Sequence, residues 1–288
     1  MQERYRQNLI EGEKAGLRYR LVLPQTALTG RSGELLGRRA GTSIDFQDYR
    51  EYHPGDDIRT LDWNIFARSD KLTVKLFREE VHPHLDLIID TSRSMQLENS
   101  PKAEATLTLA GLLATAATHA GCSHAVWLAA EGFRRAENDT LRPSAWRGIE
   151  FDGRRGLDAA HAICPPTLRR LGIRILISDL LWPEDPRVTT RKFAEGAAAL
   201  HIIQLLAQDD LEPPDPGSIR LEDSESGQSI DLQIDSTLQQ HYRDAIKNHQ
   251  QAWHEACRQH GARVTTLIAE QLTQSLHRLE EMEILAPE

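Results

Sequence analysis

Short apolar runs that end at acidic residues recur along the chain. They are Leu85–Asp90, Ile173–Asp179 and Leu200–Leu206, the last of which is followed closely by Asp209 and Asp210. Runs of this length, with polar residues on either side, are typical of strands that are buried on both faces of a parallel sheet. Segments of helical length lie between them. The pattern therefore predicts an α/β fold with a doubly wound, mostly parallel sheet and right-handed crossovers.

Two of the predicted helices are distinguished by their composition. Residues 103–120 are almost entirely Ala, Leu and Thr, which favours a helix that is buried on a wide face, and Gly121 suits its end. Residues 238–260 have apolar positions at helical spacing and predict a long amphipathic helix. The other predicted elements are strands at 124–130, 132–136 and 262–268, helices at 156–163, 189–199 and 272–282, and a hairpin of strands 219–222 and 229–234 around Ser226-Gly227.

Residues 29–80 have a different character. Glycine and proline interrupt this segment, and two short pieces rich in β-forming residues, Asp45–Tyr52 and Leu72–Phe77, occur without a long helical period. We therefore predict a small β-rich attachment at residues 1–80, followed by the main α/β domain at 81–288. Residues 1–24 give no firm indication of structure, although a short helix is compatible with them.

The composition is that of a globular protein, with 40% hydrophobic and 27% charged residues among 288 and a net charge of −9 at pH 7. An acidic chain is a poor non-specific ligand for nucleic acid or anionic membranes. No apolar run approaches the roughly 20 residues that span a bilayer. Three widely spaced cysteines give neither a disulfide framework nor a zinc pattern and fit a reducing compartment. Together with a polar N-terminal segment that has no signal-peptide core, these features predict a cytoplasmic protein.

The turn after the first apolar run carries candidate chemistry. Asp90, Ser92 and Ser94 place one carboxylate and two hydroxyls at alternate positions. Ligands bind at the carboxyl ends of the strands in open α/β sheets, and an all-oxygen set of this kind suits Mg²⁺, or Mn²⁺ as a substitute. The sequence therefore predicts a metal site at this turn.

This D-x-S-x-S sequence resembles the metal-ion-dependent adhesion site of von Willebrand factor A domains. The resemblance implies that Asp179, at the end of the next parallel strand, joins the ligands, and that a threonine from a later loop completes them. Leu157 stands at the position of that threonine and cannot bind a cation, although Asp152 or Asp158 could substitute. The alternative is an inherited feature of the fold, in which Asp90 caps loop amides and the serines hydrogen-bond locally.

A longer block gives a second resemblance. Residues Arg50–Trp63 read R-E-Y-H-P-G-D-D-I-R-T-L-D-W. This block resembles the signature of a bacterial family known only as domain of unknown function 58, in which it precedes a von Willebrand factor A-like domain. The resemblance implies that fold here. It also implies a protein partner, because similar proteins are encoded beside MoxR-type AAA+ ATPases and are associated with chaperone-like assembly or maturation.

The block is crowded with opposite charges, which admit two interpretations. Arginine can grip carboxylates in a bidentate manner and fix the geometry of turns, so the charges could form a structural network that holds the attachment to the main domain. The block could instead be a surface that docks a protein partner. The candidate partner-binding residues are Arg50, Tyr52, Asp56, Asp57, Arg59, Asp62 and Trp63.

The function predicted by these features is that of a non-enzymatic protein-binding scaffold or adaptor, Mg²⁺-dependent if the metal site works, which acts with a MoxR-type AAA+ ATPase. A second hypothesis is a metal-dependent hydrolase or phosphotransfer protein that uses Asp90. A third is a degenerate metal site, with all binding carried by the block at Tyr52–Trp63.

Other catalytic and metal-binding patterns are weak or absent. A haloacid-dehalogenase-type phosphatase would have a second acid two residues after Asp90, where this chain has Ser92. The sequence contains no G-x-S-x-G elbow, phosphate-binding glycine loop or H-E-x-x-H motif. His82 and His84 have the spacing that places two rings on one strand face, which makes them a weaker candidate for a metal pair.

Overall fold

A computed structural model describes residues 3–24, 44–54, 56, 58–79, 83–98, 100–224 and 227–288 of the chain. The chain divides into two compact units. The larger unit consists of Met1–Leu23 and Pro83–Glu288, and the smaller unit consists of Pro24–His82.

Helices and strands alternate along most of the described chain. The helices are α1 (Glu3–Gly16), α2 (Trp63–Ser69), α3 (Lys102–His119), α4 (Leu157–Ile163), α5 (Pro186–Ala194), α6 (Gln208–Leu211), α7 (Ser236–Gln259), α8 (Leu272–Ser275) and α9 (His277–Glu281). The strands are β1 (Tyr19–Leu21), β2 (Ile44–Glu51), β3 (Thr73–Glu79), β4 (His84–Asp90), β5 (Ser123–Ala129), β6 (Phe133–Arg135), β7 (Ile173–Ser178), β8 (Ala199–Leu206), β9 (Gly217–Glu222), β10 (Ser229–Ile234), β11 (Arg263–Ile268) and β12 (Leu285–Pro287). Within the described residues, no helix has both the length and the apolar character needed to cross a membrane.

Six strands of the larger unit form one sheet in the order β11-β8-β7-β4-β5-β6. Neighbouring strands in it are parallel except for β5 and β6, which are antiparallel. The prediction of an α/β fold with a mostly parallel sheet is therefore confirmed. The chain continues from β4 to β5 on one side and from β7 to β8 on the other, so the strand order reverses between β4 and β7. Such a reversal is the switch point at which open α/β sheets bind their ligands.

Both faces of this sheet are covered. On β4, Leu87 and Ile89 pack into one apolar cluster with helix α3, whereas Ile88 packs into a second cluster with Trp253 of α7. Side chains alternate between the two faces along a strand, so a strand that is covered on both faces must be apolar at nearly every position. This requirement produces the continuous apolar runs that predict β4, β7 and β8.

The N-terminal helix α1 packs on α3 within the larger unit. Leu9 is buried there, and glycines bring the two backbones close together. A Cβ atom on Gly12 would collide with the carbonyl oxygen of Thr108, and one on Gly111 would lie 2.8 Å from the carbonyl oxygen of Leu9. The structure thus differs from the predicted attachment at residues 1–80, because this packing places the first helix with the main domain.

A small two-stranded sheet pairs segments that are far apart in the sequence. Strands β1 and β12 are antiparallel, with Arg20 opposite Ala286. The sequence pattern predicts neither strand, since each has three residues and its partner lies near the other end of the chain. The single helix predicted at 272–282 is instead the two short helices α8 and α9.

The predicted hairpin after β8 is present as β9 and β10, which are antiparallel, with Leu221 opposite Ile230. Gly227 follows the turn with a φ of +71°, a conformation that glycine adopts without strain. Ser226, which the prediction places in the turn, lies outside the described residues.

The smaller unit contains an antiparallel pair of strands, β2 and β3, with an irregularity in register between Phe46 and Asp48. These strands coincide with the two β-forming pieces of the sequence. The short helix α2 is not predicted by a helical period. It begins where the Asp62 carboxylate accepts hydrogen bonds from the backbone N–H groups of Asn64 and Ile65, at 2.9 and 3.2 Å, so its N-cap fixes its start.

Candidate functional site

The four residues predicted as metal ligands lie at the switch point of the sheet. Asp90 is the last residue of β4, Ser92 and Ser94 lie in the turn that follows, and Asp179 directly follows β7. Because β4 and β7 are parallel neighbours, both strand ends are at the same edge. Asp90, Ser92 and Asp179 are buried, and Ser94 is half-buried. We call these four residues the strand-end site.

Asp90 is held through both of its carboxylate oxygens. Oδ1 accepts a hydrogen bond from the backbone N–H of Ser92 at 2.9 Å, and Oδ2 accepts one from the hydroxyl of Ser178 at 2.6 Å. Burial, and then the negative charge of Asp179, raise the pKa of Asp90 to about 6, against the opposing effect of the hydrogen bonds. The carboxylate is therefore fixed in position while its surroundings disfavour its charge.

The two serine hydroxyls are adjacent to each other. Ser92 Oγ and Ser94 Oγ lie 2.9 Å apart, and Ser94 is the more exposed of the two. The turn that carries them is tied to the loop before α4, because Arg93 donates its backbone N–H to the carbonyl oxygen of Gly153 at 2.9 Å. This is the loop from which the resemblance expects a threonine ligand.

That loop brings no replacement ligand to the serines among the described contacts. Leu157, at the position expected for the threonine, begins α4 and is buried in an apolar cluster. Asp158 accepts a hydrogen bond from the hydroxyl of Thr189 at 2.9 Å and pairs with Lys192 at 3.3 Å. Asp152 is exposed. Both aspartates considered as substitutes therefore have surroundings other than the strand-end site.

Lys102, the first residue of α3, adds a cation that sequence reasoning does not identify. Its Nζ lies 3.0 Å from Asp179 Oδ2 and 3.0 Å from Asp210 Oδ2. Burial by itself would lower the pKa of Lys102, but the negative charges of Asp179 and Asp210 outweigh burial and raise it. The ammonium group therefore stays charged. The local sequence signal for it is a lone lysine at the start of an almost wholly apolar helix.

Further hydrogen bonds fix the loop after β7. Gln204 of β8 donates from Nε2 to the carbonyl oxygen of Asp179 at 3.1 Å, and Asp179 Oδ1 accepts the backbone N–H of Leu181 at 3.2 Å. Leu180 has a φ of +59°, which is uncommon for a bulky residue. Nε2 of His249, on α7, lies 2.6 Å from the Leu180 carbonyl oxygen. Contacts from two other elements thus hold this strained loop beside the site.

The geometry of the strand-end site meets only part of what a Mg²⁺ ion needs, and the magnesium site stays a prediction. The 2.9 Å between the serine hydroxyls matches the roughly 3 Å between adjacent ligands of an octahedral Mg²⁺ ion. However, the oxygens of Asp90 and Asp179 are all bonded to protein groups, Leu157 supplies no ligand, and Lys102 already balances Asp179. In the part of the chain that the structure describes, no group of three or more His, Cys, Asp or Glu side chains is placed to hold a metal ion. As it stands, this donor set does not fit a bound Mg²⁺ ion.

The histidine pair suggested by the sequence also stays a prediction. His84 Nδ1 lies 2.8 Å from Ser123 Oγ, and its Nε2 lies 3.5 Å from Asp86 Oδ1. His82 lies outside the described residues. The described surroundings of His84 therefore give both of its ring nitrogens a partner within the protein.

In the smaller unit, several charges of the Arg50–Trp63 block bond to one another. Arg50 pairs with Asp56 at 2.9 Å, and Asp56 accepts the backbone N–H of His53 at 2.8 Å. The hydrogen bond from Arg50, and then that from His53, lower the pKa of Asp56. Lys75 lies 3.1 Å from Asp62 and is the largest cause of the lowered pKa of that carboxyl. These contacts support a structural charge network inside the unit.

Other residues of the block lie at the surface. Trp63 is 61% exposed and Ile58 is 63% exposed, although both side chains are large and apolar. Arg59 is exposed and Tyr52 is half-buried, whereas Asp57 lies outside the described residues. The exposed apolar side chains keep the docking interpretation of the block open.

Comparison with known proteins gives one family. The model of DUF58, described as a protein of unknown function, matches residues 48–252, which is well over half of the chain. Uncharacterized proteins of Mycobacterium bovis and Mycobacterium tuberculosis are 28% identical to the chain over 233 residues, which cover 75% of this chain and 72% of each relative.

Similarity to solved structures is low. The conserved hypothetical protein BatB from Bacteroides thetaiotaomicron is 11% identical, with a TM-score of 0.36 over 69% of this chain and 99% of that chain. An aerotolerance-related membrane protein from Bacteroides fragilis is 12% identical, with a TM-score of 0.37 over 68% of this chain and 99% of that chain. Proximal thread matrix protein 1 from the mussel byssus is 14% identical, with a TM-score of 0.38 over 69% of this chain and 47% of that chain. These scores are too low to assign the type of fold.

Proposed function

Because the chain belongs to the DUF58 family of proteins of unknown function, we propose its function from the geometry of the strand-end site. The protein is a non-enzymatic protein-binding scaffold of the von Willebrand factor A type, and the carboxyl edge of β4 and β7 is its recognition surface. The mostly parallel sheet and the D-x-S-x-S turn after β4 support this type.

One observation carries the proposal. Asp90, Ser92, Ser94 and Asp179 come from two separate strand ends and lie together at the switch point, where α/β sheets bind ligands. Ser94 is half-buried, and Leu181, which donates its N–H to Asp179, is 38% exposed. The edge therefore offers a hydroxyl and an apolar side chain on a turn and a loop that hydrogen bonds hold in place, an arrangement that suits recognition of a partner.

The environment of Asp90 favours binding over phosphotransfer. A nucleophilic carboxylate needs an oxygen that can reach the substrate, whereas Asp90 is buried and both of its oxygens accept hydrogen bonds. A hydrolase or phosphotransfer protein that uses Asp90 is therefore the weaker hypothesis. Trapping with beryllium fluoride would test it directly.

The proposed partner is a MoxR-type AAA+ ATPase, and the proposed role is that of a cytoplasmic adaptor in chaperone-like assembly or maturation. This part of the proposal rests on the resemblance of the Arg50–Trp63 block to a family whose members are encoded beside such ATPases. It is made without a metal ion, because the donor set at the site is engaged within the protein.

A binding titration of the full chain against a purified MoxR-type ATPase tests the proposal. We expect Asp90→Ala to weaken binding by about tenfold or more, with circular dichroism unchanged, because the variant loses the carboxylate that orders the Ser92 turn. Asp231→Ala is the matched control, since it removes an acid that is 70% exposed on β10, and it should bind as wild type does. Wild-type affinity in Asp90→Ala would contradict the proposal. A loss of affinity that occurs in Trp63→Ala and not in Asp90→Ala would indicate that the recognition surface is in the smaller unit.

A further inference from the structure

Lys102 is as thoroughly buried as the apolar residues of the core. Its side chain and that of Asp179 are each 1% exposed, and that of Asp210 is 14% exposed. Lysine is almost never fully buried unless it is paired, because a buried charge without a partner is strongly unfavourable. Here the ammonium group has two carboxylate partners, each 3.0 Å from Nζ.

These three groups come from three separate segments of the chain. Lys102 begins α3, Asp179 follows β7, and Asp210 lies in α6 after β8. Asp210 Oδ2 also accepts the backbone N–H of Ala207 at 2.8 Å, and the hydroxyl of Tyr242 donates to the Asp210 carbonyl oxygen at 3.0 Å. The ammonium group thus links two neighbouring strand ends through carboxylates that other bonds already hold in place.

The arrangement of charges explains why a cation is needed at this edge. Asp90 and Asp179 are buried near each other, and Asp210 shares the ammonium group with Asp179. Negative charges that are close together repel one another, and burial strengthens that repulsion. A positive charge at this position, from the protein or from solution, relieves that repulsion.

We infer that Lys102 is the resident cation of the strand-end site, so that its ammonium group balances the carboxylates where a metal-dependent adhesion site would use a divalent ion. The buried Leu157 in place of a threonine ligand agrees with this assignment, because a site with its own cation does not need a complete ligand set. The folded site then requires no metal. It also follows that Lys102 and a metal ion compete for Asp179, and this competition does not depend on which protein partner binds at the edge.

Thermal unfolding of the full chain with EDTA, or with millimolar Mg²⁺ or Mn²⁺, tests the inference without any partner. Wild type should unfold at the same temperature in all three conditions. Lys102→Met should unfold at a lower temperature in EDTA, because it leaves buried carboxylates without a counter-charge. Mg²⁺ or Mn²⁺ should raise that temperature again, since an ion that binds only the folded state stabilises it.

Lys192→Met is the matched control, because it breaks another lysine–aspartate pair, the 3.3 Å contact with Asp158, and it should show no response to ions. If Lys102→Met does not fold in EDTA, refolding in the presence of Mn²⁺ replaces the thermal measurement. Recovery of folded protein only when Mn²⁺ is present supports the inference. Two results would overturn it: stabilisation of wild type by the ions, or a Lys102→Met protein that the ions neither stabilise nor refold.

Discussion

At the scale of single residues, buried polar groups differ in how their surroundings satisfy them. Lys102 and Asp179 are paired, whereas His201 of β8 is buried and its Nδ1 has no hydrogen-bond partner within the described residues. Arg263 stands opposite His201 in the register of β11 and β8. Burial, and then the positive charge of Arg263, lower the pKa of His201 to about 4. The fold therefore keeps this imidazole neutral.

We expect His201 to make the protein less stable as the pH falls from about 6.5 to about 4. The pKa of this histidine is near 6.5 in the unfolded chain and about 4 in the fold. In this window the unfolded chain takes up a proton that the folded chain does not, so protonation favours unfolding. Above pH 6.5 the imidazole is neutral in both states and the contribution of His201 is complete.

Urea denaturation of wild type and His201→Gln between pH 8 and pH 4 measures this effect. Between pH 6.5 and pH 4, the free energy of unfolding of wild type should fall by up to about 3 kcal/mol more than that of the variant. This value follows from the usual conversion of a pKa difference into free energy. Parallel curves for the two proteins would show that His201 is protonated equally in the folded and unfolded chains.

The residues of the candidate site could be predicted from the sequence only where the signal is local. Asp90, Ser92 and Ser94 form a motif directly after an apolar run, and Asp179 ends another run, so the edge that they share follows from parallel pairing. The local signal for Lys102, a lone lysine at the start of an apolar helix, does not indicate its partner. Its contact with Asp179 spans 77 positions and depends on where α3 starts relative to the end of β7.

At the scale of elements, too, the sequence predicts what depends on local pattern and misses what depends on distant segments. The strands of the central sheet are predictable because burial on both faces makes them continuously apolar, and α3 is predictable because most of its surface is buried. Strands β1 and β12 are too short for a period and depend on each other for pairing. The position of α1 is equally non-local, since it depends on glycines in two helices.

We expect Gly12→Ala to destabilise the protein by about 1–3 kcal/mol, as overpacking does. In an isolated helix this change would stabilise by up to about 1 kcal/mol, but here the new methyl group would collide with the backbone carbonyl of Thr108, and α1 would have to move away from α3. Urea denaturation followed by circular dichroism measures the change. Lys14→Ala, at an exposed position of the same helix, is the control. A Gly12→Ala protein as stable as the control would show that α1 does not pack this closely.

At the scale of the whole molecule, the two candidate binding surfaces belong to different units. The strand-end site is in the larger unit, whereas the block with the exposed Ile58 and Trp63 is in the smaller unit. The described charges of that block, such as Arg50 and Asp56, are largely engaged with one another. The strand-end site is the surface favoured for the proposed scaffold, because the strands that precede its turn and loop are buried on both faces.

Photo-crosslinking of the full chain to a MoxR-type ATPase tests most directly whether the strand-end site is the recognition surface. A photoreactive amino acid replaces Leu181, which is 38% exposed beside Asp179, or Ile230, which is 56% exposed on β10, or Trp63 in the smaller unit. If the strand-end site is the recognition surface, the ATPase should be captured from position 181 and not from position 230. Capture from position 63 or 230 without capture from position 181 would contradict recognition at the strand-end site.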